Sequence, residues 1–396
     1  MKKTSVSICI CLWLITLCFS ISAQDFKTIQ DGIEYAEIKR GTETEPIKVN
    51  LLRLDLTKVR LDVVHALDAA IGLETVSSMA TRHGAFAAIN AGFFRLDKSI
   101  FAGDAAGVLM IDGKLLSESF NTRIALGLIN KKKKTEIVFG QIDAIGAVGY
   151  FRNISKKFDG INRERKKNEI ILYTPEIKQT PAIDYKTTEI IFRNCEFGCR
   201  RADVVENMGG TLIPQDGYIF SVGETANKEF IVEFMKERVG TELPERATFF
   251  DSLTIRNDKN PDLSDYKKMK KFKKAEDIVG GVPQLIKNGK IEITWEQEKS
   301  SKSFVETRHP RTAVAKLKDG KFLMITVDGR QKESVGMNLN ELAALLLEFG
   351  AVDAMNFDGG GSTTMFLNGK IVNKPSDKEG ERRVSDAILV FPRKKN

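Results

Sequence analysis

The sequence predicts an α+β fold, a largely antiparallel or mixed β-sheet core with a few packed helices. Two observations lead there. First, Asp-Gly and Asn-Gly pairs recur between apolar or β-branched flanks, at Asp112-Gly113, Asp216-Gly217, Asn288-Gly289, Asp319-Gly320 and Asn368-Gly369. Such pairs tolerate the positive φ of tight hairpins, so antiparallel pairing should dominate. Second, only three segments carry helical signals. One runs near Glu74 to His83 and stops at Gly84. Another, near Thr225 to Val239, puts Phe230, Ile231, Phe234 and Met235 on one face. In the third, Asn338 can cap, Glu341 holds the capping-box position, Leu342, Leu345, Leu346 and Phe349 line one face, and Gly350 ends the helix. Strand signals before and after these helices do not alternate in the manner of a doubly wound fold.

The chain has 396 residues, 42% of them hydrophobic, which is enough for a substantial core. Its start stands apart. Lys2 and Lys3 precede an apolar run from Val6 to Phe19, followed by Ser20, Ser22 and Ala23. This reads as a secretory signal peptide over residues 1–23, with cleavage after Ala23. The run is short for a membrane span. Cys18 offers a lipoprotein alternative, disfavoured by Leu17 before it. Residues 24–396 are expected to form a single domain, secreted or held in a periplasmic or cell-surface compartment. The stretch from Asp251 to Glu276 is polar, lysine-rich and interrupted by proline, and reads as a surface insertion.

Cleavage removes Cys9, Cys11 and Cys18, leaving Cys195 and Cys199 as a local disulfide in an oxidising compartment. With three histidines in the chain, a His-rich zinc site is not expected. The formal charge of +8 becomes +6 without Lys2 and Lys3 (8 − 2 = 6). Lysine runs such as Lys131 to Lys134 read as solvated tips, and nucleic acid is a poor partner for an exported chain.

The most informative segment is Asn356-Phe357-Asp358-Gly359-Gly360-Gly361-Ser362-Thr363-Thr364-Met365. Three glycines remove every Cβ, so the backbone can curl and aim its N–H groups. A plain turn needs one glycine or two. Apolar flanks on both sides put the loop at a strand end. Three other segments share this character. Ala88-Ile89-Asn90-Ala91-Gly92-Phe93-Phe94 ends an apolar strand in a polar residue, a glycine and two aromatics. Arg308-His309-Pro310-Arg311-Thr312-Ala313 places cations ahead of a strand, and Thr326-Val327-Asp328-Gly329-Arg330 closes one with Asp and Arg. Taken singly, Asp328-Gly329 also fits a turn, Arg311 a surface charge, Asn90 a strand-end cap, and Phe93 and Phe94 the core.

In order and wording these segments resemble the phosphodiester glycosidase family, over roughly residues 45–392. The Asp358-Gly359-Gly360-Gly361-Ser362 loop with the upstream Arg311-Thr312-Ala313 is the specific part. Asn162-Arg163-Glu164-Arg165, Leu172-Tyr173-Thr174-Pro175, Gly280-Gly281-Val282-Pro283, Asn373-Lys374-Pro375-Ser376 and Gly380-Glu381-Arg382 support it. The resemblance implies hydrolysis of a sugar-1-phosphodiester, with a carbohydrate or sugar-phosphate as partner. Its leaving group is already an anion, so charge neutralisation matters more than protonation. Asp358 is then expected to attack or stabilise the anomeric carbon or to activate water, with Asp328 as second carboxylate. Arg311 and Arg330 would grip phosphate oxygens. Gly359, Gly360, Gly361, Ser362 and Thr363 would contact substrate, as would Asn90, Gly92, Phe93 and Phe94. No cofactor is required; a divalent cation bridging aspartates and phosphate is compatible with the chemistry, and nothing in the sequence demands one. The competing reading is a non-catalytic module that holds an anionic glycan.

Overall fold

The computed structural model describes residues 26–150, 154–195, 201–226, 248–255 and 263–394. An eight-stranded sheet runs in the order Lys27–Gln30, Ile33–Gly41, Pro46–Leu54, Phe322–Val327, Arg311–Leu317, Ala351–Asn356, Gln284–Lys287, Lys290–Ile291. A five-stranded sheet orders Lys370–Ile371, Met365–Leu367, Ala87–Asn90, Asp386–Pro392 and Val59–His65. Leu52, Val314, Met324 and Met355 of the first sheet meet Leu61, Ile89, Met365 and Ile388 of the second in one buried cluster. The opposite face of the eight-stranded sheet supplies Leu51, Ala313, Leu323 and Ala354 to another cluster. Both of its faces are therefore covered, which is why Phe322–Ile325 reads as an unbroken apolar run and Phe322–Val327 is buried throughout.

A seven-stranded sheet, built on Ile124–Lys131 and Lys134–Tyr150, and a further five-stranded sheet from Gly160 to Asn207 and Tyr218–Val222 complete the β structure, beside one two-stranded pair. Pairing is antiparallel throughout the described residues apart from Gly160–Ile161 with Ile170–Tyr173. The α+β, antiparallel-dominated expectation is met. Four of the hairpin signals are met as well: Asp112-Gly113, Asn288-Gly289, Asp319-Gly320 and Asn368-Gly369 each join paired strands. Asp216-Gly217 does not. Gly217 serves close approach instead, since a Cβ there would strike the Phe192 carbonyl.

Helix α1, Val76–His83, is capped by Thr75 and ends at Gly84 with φ 68°. Its Val76, Met79 and Ala80 cover the outer face of the second sheet. Helix α2 is Leu263–Phe272, α3 is Lys302–Glu306 and α4 is Leu339–Glu348. The capping box on α4 forms as read: Asn338 Oδ1 accepts from the Glu341 N–H at 2.9 Å, and Glu341 Oε2 accepts from the Asn338 N–H at 3.0 Å. Leu342, Leu345 and Leu346 then pack under the eight-stranded sheet. The segment expected to be helical near Thr225 to Val239 lies largely outside the described residues.

The surface-insertion reading of Asp251 to Glu276 is corrected. Thr248–Ile255 pairs with Lys134–Tyr150, and α2 delivers Phe272 to the core with no exposed surface. Gly127 and Gly140, on neighbouring strands, leave room for the ring. A Cβ on either would lie 3.0 Å or 2.9 Å from it. Lys267, Lys270, Lys271, Lys273 and Lys274 around this anchor stay exposed and hide it in the sequence. Phe272→Ala is expected to lower unfolding free energy by about 3–5 kcal/mol in denaturant melts. A loss under about 1 kcal/mol would restore the insertion reading.

Among the described residues, no helix is long and apolar enough to cross a membrane.

Candidate active site

The sheets converge on the glycine loop. Ala351–Asn356 ends there, Arg311–Leu317 begins beside it, and Ala87–Asn90 and Asp386–Pro392 bring their site-proximal ends to the same place. The loop is braced by two asparagines. Asn90 Nδ2 donates to the Asp358 carbonyl at 2.7 Å, while Asn90 Oδ1 accepts from the Thr364 N–H at 3.0 Å and the Thr312 hydroxyl at 2.8 Å. Asn373 Nδ2 donates to the Thr363 carbonyl at 2.9 Å, and its Oδ1 accepts from the Met365 N–H at 2.7 Å. The Asn90 side chain, expected to contact substrate, holds the loop in this structure. Asn373 is legible in the sequence only as part of a resembling segment.

The three glycines have separate reasons. A Cβ on Gly359 would fall 2.6 Å from the Pro310 carbonyl oxygen. Gly360 has φ 61° and lies under the Arg330 guanidinium. A Cβ on Gly361 would strike Arg382 and Asp377, which form a two-pronged ion pair over it, with Nε–Oδ2 at 2.7 Å and Nη2–Oδ1 at 3.0 Å. The N–H groups of Gly359, Gly360, Ser362 and Thr363 all have acceptors inside the protein. The loop thus presents side chains and cations more than a nest of free N–H donors. Ser362, Thr363 and Thr364 are fully buried, and their hydroxyls meet no partner at hydrogen-bond geometry among the described residues.

Asp358 is partly buried at the head of the loop. Gly359 N–H donates to its Oδ1 at 2.9 Å. Burial pushes its carboxyl up to about 6. The nearby Ser362 hydroxyl, the Gly359 N–H and the Arg382 charge pull against that rise, and Asp386 adds to it.

Asp386 is a second carboxylate whose charge acts on Asp358. It is almost fully buried, with Oδ1 accepting from the Gly92 N–H at 2.5 Å and Oδ2 from the Ser385 hydroxyl at 2.5 Å. Burial raises its pKa, opposed by Ser385, His65 and the Gly92 N–H. Gly92 is small because Asp386 is there: a Cβ would sit 3.1 Å from both carboxylate oxygens. Asp328, expected as the second carboxylate, is buried and held elsewhere by its own contacts. Its Oδ1 accepts from the Lys374 N–H at 3.0 Å, and the charges acting on it are those of Lys48 and Glu37. It anchors the loop that carries Asn373.

Arg311, expected to grip phosphate, is buried, and Nε and Nη2 are engaged by the protein. Nε donates to the Met337 carbonyl at 2.9 Å, and Nη2 donates to the Phe304 and Thr307 carbonyls at 2.8 and 2.7 Å. Its carbon centre also lies 4.9 Å over the Phe304 ring. Of five guanidinium hydrogens, the two on Nη1 remain. Burial and then the Arg330 charge lower its pKa to about 10. Arg330 is exposed, with φ 58°, a strained position for a side-chain-bearing residue. Its Nη2 donates to His309 Nδ1 at 3.2 Å, which leaves the ring hydrogen on Nε2. Burial, Arg311 and Arg330 all lower the pKa of His309, so the ring is neutral near neutral pH. Among the described residues neither arginine forms an ion pair with an acid.

Phe93 packs edge-on to Phe304 with ring centroids 6.0 Å apart, beside Arg311, whereas Phe94 packs into the cluster under α1. Sequence reasoning misses His309, Arg382 and Asp386 as site residues. The first two lie inside motifs it singles out, and Asp386 is signalled only as a carboxylate heading the buried strand Ala387 to Val390. Cys195 is disulfide-bonded, and its expected partner Cys199 lies outside the described residues. Among the described residues no group of three or more His, Cys, Asp or Glu side chains is placed to hold a metal ion.

This is a glycine loop with a desolvated carboxylate near arginines that form no ion pair with an acid among the described residues. Residues 201–391 match the phosphodiester glycosidase family, so the resemblance read from the motifs holds over that segment. A bovine (Bos taurus) N-acetylglucosamine-1-phosphodiester alpha-N-acetylglucosaminidase is 38% identical over 128 residues, 28% of this chain and 24% of that protein. The match therefore spans about a quarter of that relative. Among solved structures, a Synechocystis protein superposes with a TM-score of 0.70 at 21% identity, covering 92% of this chain and 63% of its own. A Burkholderia pseudomallei protein gives 0.68 at 20% identity, covering 88% and 74%. These two likenesses establish a shared fold.

Proposed function

We propose that this protein is an exported glycoside hydrolase that cleaves a sugar-1-phosphodiester linkage, releasing an N-acetylhexosamine-like sugar from a phosphorylated glycan or envelope polymer. The observation that carries the reading is the pairing of opposite needs in one place. Asp358 supplies negative charge for the anomeric carbon as it becomes cationic. Arg330, the Nη1 edge of Arg311 and the Nε2–H of neutral His309 supply donors for a phosphate whose charge is not already answered by a protein acid. The phosphodiester in the bovine relative's name is of this chemical kind, and the family match supports the same class.

Asp358 acts on the sugar as nucleophile or base while the cations hold the departing phosphate monoester. Proton donation to the leaving group is of minor weight, because a phosphate ester leaves as an anion. Export is part of the proposal, supported by the lysine-led apolar run of residues 1–23. So is pairing of Cys195 with Cys199, supported by the disulfide at Cys195.

The test is a panel of sugar-1-phosphodiesters offered to the mature chain. Free reducing sugar and a phosphate monoester are expected in equal amounts. Binding of the panel without turnover of any member would favour a glycan-holding module instead.

A further inference from the structure

Beside the site, one loop displays an aromatic ring and an unpaired cation together. Phe120 is 53% exposed, and the Arg123 guanidinium lies 4.8 Å over its ring. Between them, Asn121 and Thr122 have φ of 52° and 48°. Two successive left-handed residues, one of them β-branched, are costly, and such strain persists only where the surroundings impose it. Arg123 Nε is buried and has no hydrogen-bond partner, and Nη1 makes one long contact of 3.5 Å to the Ala106 carbonyl. The acid that acts on it, Glu298, is fully buried and engaged elsewhere. Its carboxylate accepts from the Ile124 and Gln284 N–H groups, Gln141 Nε2 and the Thr294 hydroxyl. Arg123 forms no ion pair among the described residues.

The loop adjoins the active site on two sides. Ala106 N–H donates to the Phe93 carbonyl at 2.7 Å. Ile124, next to Arg123, accepts from the Gly281 N–H at 2.8 Å, and the following Val282 N–H donates to Asn356 at 3.0 Å, just ahead of Asp358.

The geometry points to a second subsite, formed by Phe120 and Arg123 next to the reacting centre, that binds an acidic sugar unit of the substrate. The exposed ring offers a face for the sugar's C–H surface, and the guanidinium offers charge-assisted donors to a phosphate or carboxylate it carries. Its position next to the reacting centre rests on reading Asp358 and Arg330 as the sugar-phosphodiester site.

Calorimetric titration of the mature chain with a hexose 6-phosphate, a hexuronate and a neutral hexose tests this. Wild type should bind the acidic sugars more tightly than the neutral one. Arg123→Gln should weaken acidic-sugar binding by about tenfold or more and leave the neutral sugar unchanged. Phe120→Ala should weaken all three, and Arg330→Ala should leave hexose 6-phosphate binding at this subsite in place. If the Arg123→Gln variant does not fold, the Phe120→Ala titration decides. Equal binding of charged and neutral hexoses to wild type would overturn the subsite, as would wild-type affinity in both variants. Missing phosphodiester turnover with Arg123-dependent binding intact would overturn the proposed activity and leave the subsite standing.

Discussion

Asp358→Asn is expected to lower kcat on a sugar-1-phosphodiester by on the order of a thousandfold or more. Binding should be kept or slightly tightened, because a charge that repels phosphate is gone. The amide preserves the shape of the side chain but neither attacks carbon nor accepts a proton from water. The brace should survive, since Asn90 bonds the main-chain carbonyl of Asp358 and not its carboxylate. A pH signature accompanies the loss. The carboxyl is pushed up to about 6, so as pH falls through that value Asp358 gains a proton. The acid limb of kcat/KM in wild type should therefore have its midpoint near there, well above an ordinary aspartate. Asp386→Asn removes a charge that raises Asp358, so it should move that limb to lower pH. Near-wild-type kcat in a folded Asp358→Asn variant would remove Asp358 from the chemistry.

The second large effect separates the two arginines. Arg311→Ala strips partners from the Met337, Phe304 and Thr307 carbonyls and leaves a cavity under Phe304. A stability loss of about 3 kcal/mol or more is expected, with turnover falling alongside it. Arg311→Lys should recover little, because an ammonium cannot reach three carbonyls with a planar fork. Arg330 is exposed, and among the described residues its side chain hydrogen-bonds His309 alone, so Arg330→Ala should leave the melting temperature nearly unchanged. It should still lower kcat/KM roughly a hundredfold by removing a donor to the phosphate. Inorganic phosphate should stabilise wild type in thermal melts and stabilise the Arg330→Ala variant less. A stable, fully active Arg311→Ala variant would refute the structural role assigned to that guanidinium.

Local chemistry is legible in the sequence, and the choice of neighbours is not. The hairpin at Asn368-Gly369 and the capped helix ending at Gly350 follow from backbone preferences that act within a few residues. The glycine loop is legible because three missing Cβ atoms are a local fact. Asp328 and Asp386 both stand at strand ends beside small residues. What each one meets depends on the neighbouring strands: Phe322–Val327 lies between Pro46–Leu54 and Arg311–Leu317, whereas Asp386–Pro392 lies between Ala87–Asn90 and Val59–His65. No periodicity encodes that choice. Arg311 misleads for a related reason. A cation before a buried strand suggests a ligand grip, and the carbonyl of Met337 that claims its Nε comes from a segment distant in sequence. Phe272 is masked by the exposed lysines around it.

The most direct test of the central claim is where water enters. Hydrolysis of a sugar-1-phosphodiester in 18O-labelled water should place the label on the anomeric carbon of the released sugar and leave the phosphate monoester unlabelled, as cleavage between carbon and oxygen at Asp358 requires. Label found in the phosphate, with the sugar unlabelled, would show attack at phosphorus and contradict the account.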